Sequence, residues 1–167
     1  IGSRDWSALY QQKPVPEGGA VFKLDLFNKW NDKTLPPSFD NVLGSWDMTF
    51  KDTKASDYVV GQIWAQKDNS FYLLDEVRGQ WDFSKTLKMF ILMAEKWRNV
   101  NRWLIEDKAN GSAILSVLKK HINGLTPITP KESKLERAYA VQPLVESGQV
   151  YIPSSASWLA GFEDEFL

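Results

Sequence analysis

"YVVGQIWAQKDNSFYLLDEVRG", residues 58–79, consists of two runs of apolar, β-branched and aromatic residues separated by the polar turn Lys67-Asp68-Asn69-Ser70. Runs of this composition on either side of a short turn read as two antiparallel strands. A third run, "NVLGSWDMTF" (41–50), precedes them across the polar stretch "KDTKASD" (51–57), so the three form a meander. The period then changes. "FSKTLKMFILMAEKWRN" (83–99) brings Leu87, Phe90, Ile91, Ala94 and Trp97 near one face at helical spacing, with Asp82 or Ser84 available as the N-cap.

After this helix, strand and helix alternate. "RWLIE" (102–106) is apolar and short, "DKANG" (107–111) is a turn, and "SAILSVLKKHI" (112–122) is helical, closed by Asn123-Gly124. "LTPITP" (125–130) is extended and bounded by proline, "KESKLERAYAVQPLVESG" (131–148) is helical, and "QVYIP" (149–153) is a last strand. "SSASWLAGFEDEFL" (154–167) opens a serine-capped helix. A three-strand antiparallel meander followed by parallel strands, flanked by helices, is an α/β mixed sheet. This order of elements is that of the ribonuclease H-like fold.

Residues 1–39 have a different texture. Prolines and glycines in "QQKPVPEGGAVFK" and "NDKTLPPSFD" interrupt regular structure, so the stretch reads as an arm or linker, with "VFKLDLFNKW" packing on a domain spanning residues 40–167. The length of 167 residues suits one domain. No apolar run is long enough to suggest a membrane span, and the start lacks the pattern of a secretory signal, so no membrane association is expected. The absence of cysteine removes disulfides, thiolate zinc sites and cysteine nucleophiles, and the single histidine, His121, removes a His-rich metal site. His121 itself reads as a surface or capping residue. Any metal must then be held by oxygen, which favours magnesium or manganese. A net charge of −1 carries no global signature of nucleic-acid binding. The eight tryptophans read mainly as core or interface anchors.

Asp47 lies inside an otherwise apolar strand, where a carboxylate needs a partner. If the first hairpin turns near Asp52, Asp57 falls opposite Asp47, and a divalent cation would hold both ionised. Glu106 and Asp107 close "RWLIE". Ligands of open α/β sheets gather beyond the carboxyl ends of strands, and this strand is expected beside the one carrying Asp47. Side chains alternate along a strand, so one of the adjacent pair faces the metal. Acidic groups meeting there suit two-metal phosphodiester hydrolysis. The alternative is that they are solvent-facing turn carboxylates. Lys51, Lys54, Lys108, Lys131, Lys134 and Arg137 lie where they could meet a phosphate backbone. No GxxxxGK[ST] loop is present, so the chain is not an ATPase by itself.

Taken together, "GSWDMTFKDTKASDYVVGQIWAQKDNSFYLLDEVRGQWDF", "LIEDKANGSAIL", "SKLERAYAVQPLVESGQVYIP" and "SWLAGFEDEFL" resemble the C-terminal nuclease domain of the large terminase subunit of tailed bacteriophages and prophages. "SALYQQKPVPEGGAVFK" resembles the segment joining the terminase ATPase domain to that nuclease. The resemblance implies an endonuclease that cuts concatemeric viral DNA in the cytoplasm of a bacterial host. It further implies two divalent ions, Mg²⁺ or Mn²⁺, held by three acids. Asp47 matches the first acid and Glu106 the second, with Asp107 as the neighbouring fallback and Asp57 as a more distant acidic position. The third acid lies, in the family, in an Asp-Asp-x-x-Asp-Ala-like segment after the helix that "SWLAGFEDEFL" begins. Glu163, Asp164 and Glu165 do not fit it, so this chain is expected to be cut short and weakly active or inactive. ATP belongs to the absent ATPase domain of the same polypeptide. Implied partners are double-stranded DNA, the portal protein and the small terminase subunit. Two other readings stay open: a catalytically silent docking module contacting portal or DNA, and a resolvase- or transposase-like nuclease of the same fold.

Overall fold

The computed structural model describes residues 21–48, 58–106 and 111–166. Seven strands, β1 (Asn28–Trp30), β2 (Asn41–Asp47), β3 (Val59–Lys67), β4 (Ser70–Gly79), β5 (Arg102–Glu106), β6 (Leu125–Ile128) and β7 (Val150–Pro153), form one sheet in the order β1-β7-β4-β3-β2-β5-β6. The helices are α1 (Phe83–Lys96), α2 (Gly111–Leu118), α3 (Lys134–Glu146) and α4 (Leu159–Glu163). β2 with β5, β5 with β6, β4 with β7 and β1 with β7 pair in parallel. β3 and β4 are separated by the turn residues Asp68 and Asn69, which makes them antiparallel. β3 also runs against β2, because Asn41 meets Gln66 at one end while Trp46 lies on Gly61 towards the other. The mixed sheet is therefore the one expected. None of the described helices is long and apolar enough to cross a membrane.

The chain divides into two compact units. One comprises Val42–Ile63 and Asp75–Pro130. Its core is aromatic. Phe90, fully buried on α1, stacks on Trp46 of β2 with ring centroids 4.7 Å apart and meets Trp103 of β5 at 5.0 Å. Each indole needs a flat bed on the sheet, and glycine supplies it. A Cβ on Gly44 would collide with the Trp103 ring, and one on Gly61 would stand 2.5 Å from the Trp46 ring. α1 starts where Asp82 accepts the Lys85 N–H at 2.8 Å, so the nearer of the two expected caps is the one used.

The other unit contains the described residues up to Asn41, with Trp64–Leu74 and those from Lys131 onward. Tyr72 and Tyr151 stack at 4.7 Å on the paired strands β4 and β7, and Phe27 packs edge-on against Phe162 of α4. α3 begins with a capping box: Glu136 N–H donates to the Ser133 hydroxyl at 3.2 Å, and Ser133 N–H donates to the Glu136 carboxylate at 2.7 Å. Hydrogen bonding of the Glu136 carboxylate to the Ser133 side chain, first, and to the Ser133 N–H, second, holds this carboxyl below its ordinary range. A depressed carboxyl stabilises at neutral pH, and that contribution is lost as the pH falls through the carboxylate range.

Two local expectations change. The stretch read as linker contains β1, which extends the sheet by pairing Asn28 with Tyr151 and Trp30 with Pro153, while the Trp30 indole donates to Leu73 O at 3.0 Å. Proline and glycine on either side had hidden a three-residue strand. The last helix begins at Leu159 rather than on a serine, and its cap position, Trp158, makes no side-chain cap bond.

Gly44→Val should destabilise the protein by roughly 1–3 kcal/mol, because the added methyls must displace an indole in a packed core. Ser133→Ala should lose about 1 kcal/mol of capping. Urea unfolding of the two variants against wild type checks both the size and the order of these effects.

Candidate active site

β2 and β5 end together. Their parallel register runs Leu43↔Arg102, Gly44↔Trp103, Ser45↔Leu104 and Trp46↔Ile105. The next step sets Asp47, the last residue of β2, beside Glu106, the last of β5. Neighbouring strands lie about 4.8 Å apart, and laterally adjacent residues of a parallel pair project from the same face. Glu106 is buried at 7% exposure and pairs across its other edge with Ile128, while Asp47 is half-buried. The strand that closes on the acidic pair thus lies where the sequence placed it.

Alternation settles which face carries the acids. Trp46 and Trp103 both reach Phe90 of α1, so they point to the helix side of the sheet. Asp47 follows Trp46 directly, and Glu106 is three residues beyond Trp103, so both point to the opposite side. The adjacent acids of β4 divide in the same way. Asp75 accepts from Lys96 Nζ and from the Trp97 indole N–H, both at 2.7 Å, and so ties the end of α1 to the sheet. Glu76, the next residue, accepts instead from Gln62 Nε2 of β3 at 2.6 Å. Gln62 and Glu76 are buried at 3% and 5% exposure. The face away from α1 therefore carries Asp47, Gln62, Glu76 and Glu106 near one end of the sheet, a polar set among apolar strands.

The Gln62–Glu76 pair was not found by sequence reasoning. The available signal was the adjacency of Asp75 and Glu76 inside a strand, since strict alternation sends neighbours to opposite faces. Asp57, Asp107, Lys51, Lys54 and Lys108 lie outside the described residues. Lys131 and Lys134 are exposed, whereas Arg137 is buried at 6% on the side of α3 that also buries Ala138, Val141 and Val145. Arg137 thus does not stand open to a phosphate backbone as expected, because the helix places it on its packed stripe. Glu163 forms an ion pair with Lys29 at 2.7 Å. Among the described residues, no three acidic, histidine or cysteine side chains are grouped to hold a metal ion.

With this geometry in view, the model of one family, the terminase RNaseH-like domain, matches residues 44–166. The chain belongs to that family. Among solved structures, the large terminase of a thermophilic bacteriophage is similar with a TM-score of 0.63 and 9% identity, covering 99% of this chain and 44% of that one. This chain thus spans less than half of that terminase. The large terminase nuclease of another thermophilic phage, G20c, is similar with a TM-score of 0.60 and 18% identity, over 86% of this chain and 80% of that one. That G20c nuclease has also been solved with bound magnesium and with bound zinc. The large terminase nuclease domain of a Thermus phage is similar with a TM-score of 0.56 and 16% identity, over 86% of this chain and 77% of that one. At these identities the shared property is the fold, ribonuclease H-like. Among curated proteins none matches.

Asp75→Ala should lower stability by about 1–3 kcal/mol, since it leaves the half-buried Trp97 indole N–H without its acceptor. The loss should be the same with and without added Mg²⁺, because Asp75 faces α1. Thermal melts under both conditions check this, and a loss seen only with Mg²⁺ would move Asp75 to the metal-facing side.

Proposed function

We propose that this domain is the metal-dependent endonuclease of a viral DNA-packaging terminase, cutting concatemeric double-stranded DNA by phosphodiester hydrolysis. The observation that carries the reading is the convergence of Asp47 and Glu106 at the carboxyl ends of adjacent parallel strands. Membership of the terminase RNaseH-like family supports it. So does the donor chemistry: two carboxylates offer hard oxygens that suit Mg²⁺ or Mn²⁺, and the chain has no thiol to recruit a softer ion.

Asp47 and Glu106 would hold the metal, with Asp107 and Asp57 as the further donors in the sequence. A divalent ion held there would supply Lewis-acid activation of water and charge stabilisation for the leaving oxygen. The protein's own part is to fix the geometry. The Trp46 and Trp103 packing locks the two strands in register, so their last residues present carboxylates side by side. Burial of Glu106 lowers the local dielectric and strengthens its attraction for a cation. Lys51, Lys54, Lys108 and Lys134 are the basic residues we assign to the DNA backbone. Within the larger protein, the ATPase domain of the same polypeptide, the portal and the small terminase subunit would be the partners, in the cytoplasm of the bacterial host.

Supercoiled plasmid incubated with Mn²⁺ or Mg²⁺ and the longer polypeptide that includes the ATPase domain should be nicked and linearised, and EDTA should stop the reaction. Loss of a residue that merely supports a metal ligand costs about 10–100-fold. Asp47→Ala and Glu106→Ala should each lose more than that, with unfolding curves showing retained fold. Wild-type cleavage by Asp47→Ala would refute the site, and a wild type that never cuts would favour the docking reading.

A further inference from the structure

On the face that carries Asp47 and Glu106, β4 also brings up a cation. Arg78 is two residues beyond Glu76, so its side chain leaves the sheet on the same side, and it stands one residue before β4 ends at Gly79. β4 runs in the direction of β2, since both are antiparallel to β3, and Arg78 thus lies towards the same end as Asp47. Its guanidinium carbon sits 4.0 Å from the centre of the Tyr58 ring. Tyr58 immediately precedes β3 and is 47% exposed, an unusual setting for a large aromatic on a sheet. At this distance the guanidinium makes a cation–π contact with the ring, which restrains where it can lie.

The chemistry of such a pair is specific. An arginine side chain presents its N–H donors in a fork that matches the two free oxygens of a phosphodiester, a geometry that lysine lacks. Two strand spacings separate Arg78 from Asp47, roughly 10 Å. This is too far for both to serve one phosphate group and suits a neighbouring phosphate on the same DNA strand. The acids at the strand ends would repel a polyanion, and an ordered cation across β3 counters that repulsion.

We propose that Arg78, oriented by Tyr58, grips the phosphate backbone next to the bond being cut and so positions the DNA over Asp47 and Glu106. The inference rests on the nuclease reading of that site. Arg78 is a positioning residue that contributes binding and alignment, and Tyr58 acts through it.

The test uses the full chain and a fluorescein-labelled duplex of about 20 base pairs, long enough to span a single-module footprint, with anisotropy titrations in Ca²⁺ at several salt concentrations. Arg78→Ala should weaken binding on the order of tenfold, equally for two unrelated sequences, and reduce the salt slope by about one. Arg78→Lys should keep the slope but lose part of the affinity, because the charge remains and the fork does not. Tyr58→Ala should weaken binding a few-fold, and Tyr58→Phe, which keeps the ring, should behave as wild type. Arg78→Ala with wild-type affinity and slope overturns the proposal. If Arg78→Ala melts early, the Lys and Phe variants decide: a lysine variant with full affinity, or a phenylalanine variant as weak as Tyr58→Ala, also overturns it. Cleavage of plasmid by Asp47→Ala at the wild-type rate would remove the metal site at Asp47 and Glu106, and a wild type that never cuts would remove the nuclease reading; neither changes the binding titration of Arg78→Ala, so the failures are distinguishable.

Discussion

Flat packing of two indoles on glycine is the constraint from which the candidate site follows. Trp103 covers Gly44 and Trp46 covers Gly61, with Phe90 of α1 closing over both rings. Such an arrangement tolerates little slippage, because a shift of one residue would turn both indoles to the other side of the sheet. The cost is visible in the Trp46 indole N–H, which is buried and has no hydrogen-bond partner among the described residues. A lost hydrogen bond of about 1–3 kcal/mol is outweighed only where the buried ring contributes more through contact area. Packing wins over polar satisfaction here, and the register it enforces is what aligns Asp47 with Glu106.

This division of labour explains why so much of the fold was legible in the sequence. β4 and β5 fall on the runs that composition marked, and α1 begins at its aspartate cap, because local propensity and burial agree in those segments. Two features escaped. β1 is three residues long and its flanks are rich in turn formers, so its existence depends on a partner, β7, more than a hundred residues away. The serine-rich start of the last segment looked like a helix cap, yet the helix opens at Leu159 with no side-chain cap bond. Propensity had no means of weighing either tertiary contact.

For the site, strand ends were readable and faces were not. Asp47 and Glu106 stood out because each closes an apolar run, and the order of elements made their strands neighbours. Gln62 and Glu76 did not stand out, since a glutamine and a glutamate inside apolar strands look alike whether they face solvent or each other. Arg137 shows the opposite error: a basic residue near the start of a helix looked exposed, but its place on the helix stripe beside Ala138 and Val141 buried it. In both cases the missing information was the identity of the covering layer.

Asp75 and Glu76 show how little chemical type alone can say about role. They are adjacent carboxylates with nearly equal burial. One is consumed by structure, anchoring the helix end through Lys96 and Trp97, while the other joins the polar face that carries Asp47 and Glu106. Only the alternation of the strand separates them. The same rule places Glu106, the last residue of β5, on the face of Asp47. It extends equally to Arg78, whose parity matches Glu76 and whose guanidinium lies against the Tyr58 ring. Candidate function in this domain is thus a property of face and strand end, and the aromatic packing on the reverse side sets both.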